Sequence, residues 1–167
     1  MPLSLATIAV VSSSPALASI LAAAMRHRNS WHVRSFTSLR ELGTYMRIAP
    51  VAVIVSDYEL ADGTISDFAS SIRQGDLAAP DGLSIIALAR AITADLRREC
   101  LASSVDELIV KPMSPAYIEE RVEARLRAQG HPRMPESEAP EIAGWRGSNV
   151  ISFAAHRAAR EAALSRP

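Results

Sequence analysis

Residues 51–63 read Val51-Ala52-Val53-Ile54-Val55-Ser56-Asp57-Tyr58-Glu59-Leu60-Ala61-Asp62-Gly63, and this stretch decides the fold. Its first five residues are all apolar and three are valine, a pattern that predicts a short strand buried on both faces, as inside a parallel sheet. The strand runs straight into an acid. In an open parallel α/β sheet, ligands and chemistry gather at the carboxyl ends of the strands, so Asp57 is the first candidate site residue. Asp62-Gly63 then turns the chain into a helix.

Reading outward, Leu5 to Val11 carries Ile8, Val10 and Val11 and predicts a second buried strand. Ser14-Pro15 follows as a helix start, because serine caps free amides and proline fits the first helical position. Leu17, Ile20, Leu21 and Ala24 recur at helical spacing and predict one apolar stripe. Trp31 to Phe36 predicts a strand nearer the sheet edge, and Ser38 with Glu41 forms a capping box that opens a helix with Leu39, Leu42 and Met46 facing the core.

Beyond Gly63 a helix carries Ile65, Phe68, Ala69 and Ile72, and a turn-rich loop runs from Gly75 to Gly82. Leu83 to Leu88 predicts a strand, and Thr93 to Leu101 a helix with Leu96, Cys100 and Leu101 inward. Leu108 to Val110 is a last strand, ending at Lys111-Pro112. Ser114-Pro115 repeats the cap-and-proline signal before Ile118, Val122 and Leu126.

Strands alternating with helices imply a parallel sheet covered on both faces and joined by right-handed crossovers. Five such units in residues 1–129 predict a flavodoxin-like (βα)5 fold, a doubly wound five-stranded parallel sheet. Residues 130–167 differ: four of the ten prolines and three of the seven glycines fall there. They read as a flexible, mostly disordered tail, with Ser152 to Leu164 as a short alanine-rich helix. Trp145, Ile151 and Phe153 are bulky residues that suit a docking segment.

With 18 basic and 18 acidic residues the net charge is zero, which gives no general pull toward nucleic acid or an anionic membrane. No apolar run approaches the roughly 20 residues of a membrane span, and Leu3 to Val11 lacks the preceding basic residues of a secretory signal. The lone Cys100 excludes an internal disulfide and fits a cytoplasmic location. His27, His32, His131 and His156 have no metal-ligand spacing. Arg121, Arg125 and Arg127 with Glu119, Glu120 and Glu123 read as a solvated helix face.

Asp57 after the third strand, Asp62-Gly63 beyond it, Lys111-Pro112 after the fifth strand and the closing helix from Pro115 to Leu126 together resemble the receiver domain of two-component response regulators. The resemblance covers about residues 5 to 128 and rests on order and spacing along that whole length. It implies that Asp57 matches the phosphoacceptor, that Lys111 matches the lysine contacting the acyl phosphate, and that the Lys111–Pro112 bond is cis. In that family two acids after the first strand help the aspartate hold Mg²⁺. Ser12 and Ser13 stand in their place here. The hydroxyl residue of the family's switch is matched by Ala89 and its aromatic by Leu108, and the proline four residues past the phosphoacceptor by Ala61.

The expectation is therefore a stand-alone, atypical receiver in bacterial signal transduction, not an enzyme, acting by protein–protein contact without Mg²⁺-dependent phosphorylation. It has no cofactor beyond weak Mg²⁺ at Asp57. Its partner would be a histidine kinase or a downstream regulator. The alternative is a single-domain response regulator phosphorylated on Asp57 by a histidine kinase. A nucleotide binder or enzyme on the same fold is remote, for want of a glycine-rich phosphate loop. The resemblance puts the interaction or homodimer face on the fourth helix, fifth strand and fifth helix, including Leu96, Arg97, Cys100, Leu101, Tyr117 and Arg121. The residues after Gln129 are too few for a helix-turn-helix.

Overall fold

The computed structural model describes residues 5–26, 31–75, 77, 79, 81–130 and 150–153. Five strands, β1 (Ala6–Val11), β2 (Trp31–Phe36), β3 (Val53–Asp57), β6 (Ser84–Ala89) and β7 (Glu107–Val110), form the parallel part of one sheet. Between β3 and β6 lies a two-stranded antiparallel ribbon, β4 (Glu59–Leu60) and β5 (Gly63–Thr64). The helices are α1 (Pro15–Arg26), α2 (Leu39–Met46), α3 (Ile65–Arg73), α4 (Ala94–Ser103) and α5 (Pro115–Ala128).

The main sheet runs β2-β1-β3-β6-β7 and ends in a sixth strand, β8 (Val150–Ser152). Its first five members follow the doubly wound order expected of the flavodoxin-like fold, with the reversal of direction between β1 and β3. The sixth, β8, pairs antiparallel with β7. The sheet thus has one strand more than the expected five. That strand comes from the region read as a disordered tail, and the predicted helix from Ser152 is corrected at its first residue, since Ser152 ends β8. Phe153 is not helical either, its amide donating to Asp106 O; residues 154–164, and Trp145, lie outside the described residues.

Side chains alternate across the sheet and split the interior in two. On one face Ile8, Val10, Val53, Val55, Ile86, Leu88 and Ile109 pack under α1 and α5, against Leu21, Met25, Ile118, Val122 and Leu126. On the other, Ile54, Ile85, Ala87 and Leu108 meet Leu42, Ile65, Ala69 and Cys100 from α2, α3 and α4, and Phe153 joins this side. Full burial of each large aliphatic side chain is worth about 1.5–3 kcal/mol, so the central apolar strands supply the driving force.

Two expected core positions face water. Ile20 is 54% exposed and Leu101 38% exposed. On α1 the buried set is Ala18, Leu21, Ala22 and Met25, a narrower stripe that a helix lying over a sheet needs, and it leaves Ile20 outside. On α4 only Cys100 and Ser103 are buried; Leu96 is partly covered by the core, and Leu101, one position past Cys100, is rotated off that face.

The predicted helix starts are in place. Ser14 Oγ accepts from the Leu17 amide at 3.3 Å and Ser114 Oγ from the Tyr117 amide at 3.1 Å. At α2 the Ser38 hydroxyl accepts from the Glu41 amide, but the Glu41 carboxylate turns to the amide and hydroxyl of Thr37. The free amides of Leu39 and Arg40 are taken instead by Asp62, at 3.2 and 2.9 Å.

Candidate functional site

The carboxyl ends of β1, β3 and β7 bring Ser12, Asp57 and Lys111 together at the sheet's switch point. Asp57 closes a strand that is buried throughout, and its own side chain is buried. Lys111 follows β7 and leads into Pro112 through a cis peptide bond. Its ammonium bonds directly to Oδ1 of Asp57.

The other carboxylate oxygen is occupied as well. Ser12 Oγ donates to Asp57 Oδ2 at 2.7 Å and the Ser13 amide donates to the same oxygen at 3.2 Å. The Ser14 amide in turn donates to Ser12 Oγ at 3.1 Å, which fixes that hydroxyl as acceptor from Ser14 and donor to Asp57. The sequence marked Ser12 and Ser13 only as the residues standing where the family has its two acids. In fact both bind the aspartate directly, Ser12 being buried and Ser13 contributing backbone.

Asp57 thus sits in a ring of donors: one ammonium, one hydroxyl and one amide. Mg²⁺ requires several hard oxygen ligands, usually with more than one carboxylate's charge. The residues here do not fit that ion. One carboxylate is present, the neighbouring hydroxyl is aimed at it as a donor, and a fixed cation lies on its other oxygen. Among the described residues no group of three or more histidine, cysteine, aspartate or glutamate side chains could hold a metal.

Around this centre the loop after β3 is tied down. Asp62 spans to the start of α2; burial pushes its carboxyl upward, but the amides of Arg40 and Leu39 outweigh that and hold it below the usual carboxylate value. Thr64 caps α3 through the Asp67 amide. Tyr58, next to the phosphoacceptor candidate, is buried; its amide donates to Leu88 O at 2.8 Å and its hydroxyl donates to Glu99 on α4. Burial first, and the bond to Glu99 second, push the Tyr58 phenol up to about 12.

Ala89 ends β6 and Leu108 lies in the middle of β7, both buried on the α2–α3–α4 side. A methyl and an isobutyl group offer neither a hydroxyl nor an aromatic edge to the Asp57 site.

The residues expected to form an interaction face on α4, β7 and α5 differ in exposure. Arg97 and Leu101 are exposed, and Tyr117 and Leu96 are half-buried. Cys100 has no exposed surface, so it is corrected from contact residue to core; burial raises its thiol to about 11. Arg121 is turned inward: its Nε and Nη2 donate to Glu107 at 2.8 and 2.6 Å.

Glu107 is the feature the sequence reading missed. It is fully buried in β7 and receives a second guanidinium, Arg125, which also donates to Ser152 Oγ at 3.0 Å. Arg121 and Arg125 therefore belong to a buried charge cluster and not to a solvated helix face. The signal was available: an acid inside the apolar run Glu107-Leu108-Ile109-Val110, followed by two arginines four apart on the next helix.

No family model and no curated protein matches the sequence. The likeness is in structure. A receiver domain protein (CheY-like) from Methanospirillum hungatei JF-1 superposes with a TM-score of 0.68 at 16% identity, over 76% of this chain and 98% of that one. The chemotaxis response regulator CheY4 of Vibrio cholerae gives 0.65 at 19% identity, over 74% and 100%. The signal receiver domain of a Luxo repressor protein from Vibrio parahaemolyticus gives 0.66 at 17% identity, over 75% and 93%. The chain has the fold of CheY-like receiver domains. Among the described residues no helix is long and apolar enough to cross a membrane.

Proposed function

We propose that this chain is an atypical receiver module of bacterial two-component signalling, working in the cytoplasm by protein–protein contact, with its aspartate site held by internal donors and not switched by Mg²⁺-dependent phosphorylation. The observation that carries this reading is the saturation of Asp57: Lys111 on one oxygen, Ser12 and Ser13 on the other. Aspartyl phosphorylation brings several negative oxygens onto an already negative nucleophile, and a divalent cation normally neutralises them. Lys111 alone supplies one positive charge. Ala89 and Leu108 in place of a hydroxyl and an aromatic remove the side chains that would report such an event to α4 and β7. Partner binding, to a histidine kinase or a downstream regulator, is on this reading constitutive.

A second reading keeps Asp57 as phosphoacceptor, and what favours it is the cation: the Lys111 ammonium lies where it could also meet a phosphoryl oxygen. Incubation of the protein with acetyl phosphate and Mg²⁺, followed by intact mass, separates the two. We expect no adduct, and expect Ser12→Asp with Ser13→Asp to raise Mg²⁺ affinity in calorimetry. A phosphoryl adduct on wild type that disappears in Asp57→Ala replaces the first reading by the second.

A further inference from the structure

The edge of β7 is covered by a strand from the same chain, β8. β8 pairs with β7 in the register Glu107 to Ser152, Leu108 to Ile151 and Ile109 to Val150, and the Phe153 amide extends the ladder by donating to Asp106 O at 2.8 Å. Two side chains of the segment, on the same face two residues apart, enter the core beside α4: Phe153 is 5% exposed and Ile151 packs partly against the same cluster. On the opposite face Ser152 Oγ accepts from Arg125, whose guanidinium is already fixed by Glu107. The site therefore reads three things in an extended peptide: backbone polarity along β7, an aliphatic and an aromatic group two apart, and a small hydroxyl between them. That is recognition by strand addition.

We propose that this edge is a peptide-binding site for an extended aliphatic–serine–aromatic segment, occupied in cis by Val150–Phe153 and open to the same segment of a second copy of the chain when the cis strand leaves. Several observations favour a displaceable occupant. β8 has three residues, at the short end for a strand. It is separated from α5 in sequence by residues 131–149 and pairs with β7, which is not its neighbour in the chain. Its pocket groups, Glu107, Arg121 and Arg125, are bonded to one another and do not need the strand to be satisfied. A site that stays ordered without its ligand pays little reorganisation cost when a second copy of that ligand enters. The proposal goes beyond the signalling reading and does not depend on the chemistry at Asp57. It also gives the tail a role, since a strand on β7 covers the sheet edge between α4 and α5.

A fluorescent peptide spanning residues 148–155 is the probe, titrated by anisotropy into the full-length chain and into full-length Phe153→Asp, whose own segment can no longer enter the core. A tethered segment competes at an effective concentration on the order of mM, so wild type should bind the peptide at least tenfold more weakly than the variant. The same peptide carrying Asp in place of Phe should bind neither. Ile151→Asp, at a half-exposed position, is the second variant should Phe153→Asp fail to fold. Equal binding to wild type and variant, or no binding to a folded variant, overturns the proposal.

Discussion

Asp57 and Lys111 are joined directly, ammonium to carboxylate, across 54 residues of sequence, and the bond closes the switch point of the sheet. The Asp57 side chain is 6% exposed and that of Lys111 29%, so the charge of the aspartate is desolvated and that of the lysine only partly. Removing the cation strands a buried charge, a change that costs about 3–5 kcal/mol for a fully buried pair. Here Ser12 and Ser13 still donate to the carboxylate, and Lys111→Met should destabilise by about 1–3 kcal/mol. Asp57→Asn, which leaves an uncharged group of the same shape, should cost less, and the double variant should be more stable than the sum of the two singles. Urea unfolding of the four proteins checks this, and strict additivity would remove the pair from the account of the site.

A second prediction concerns alkaline stability. Tyr58 in the folded chain titrates near 12, against 10 for the ordinary phenol. Between these values the folded state keeps a proton that the unfolded state releases, so stability falls as pH rises through that window and is fully present below pH 10. Cys100 and Tyr117, also raised, contribute slopes of the same sign. Tyr58→Phe removes one of the three, and about 1 kcal/mol of hydrogen bonding with it. Its urea midpoint should start lower at pH 8 and decline less steeply than that of wild type up to pH 12. Parallel declines would show that Tyr58 is not the group responsible.

Much of this fold was legible because the parallel strands are continuous apolar runs and the helix starts carry explicit caps. The runs at Val51 to Val55 and Leu83 to Leu88, the Ser14-Pro15 and Ser114-Pro115 pairs, and the distance from Asp57 to Lys111 leave few topologies open. Three things were hidden, each for a physical reason. β8 is short, and composition alone could not show that Val150 to Ser152 pairs with β7 and carries Phe153 into the core. The bond from Ser12 to Asp57 spans two strands adjacent only in the folded sheet. Glu107 has the residue type of a surface position, and its partners Arg121 and Arg125 obey the same spacing as a solvated face; only the folded sheet shows that they turn inward.

That cluster yields the last prediction. Glu107 has no exposed surface, and its two oxygens receive donors from two guanidinium groups. Arg121 and Arg125 stand on α5 and Glu107 on β7, so the cluster holds a helix to the sheet edge that β8 covers. A buried ion cluster adds little net stability over well-packed apolar residues, yet breaking it from one side leaves uncompensated charge and costs about 3–5 kcal/mol. Glu107→Gln removes the buried carboxylate that both arginines share, whereas Glu107→Leu combined with Arg121→Met and Arg125→Met removes the whole set. The single change should therefore be the more damaging, by at least about 2 kcal/mol. The triple variant should stay near wild type while losing the Arg125 bond to Ser152, and amide exchange at Ile151 to Phe153 should then accelerate. If the triple variant is destabilised more than Glu107→Gln, the cluster is a net source of stability and not a device for fixing the position of α5 and β8.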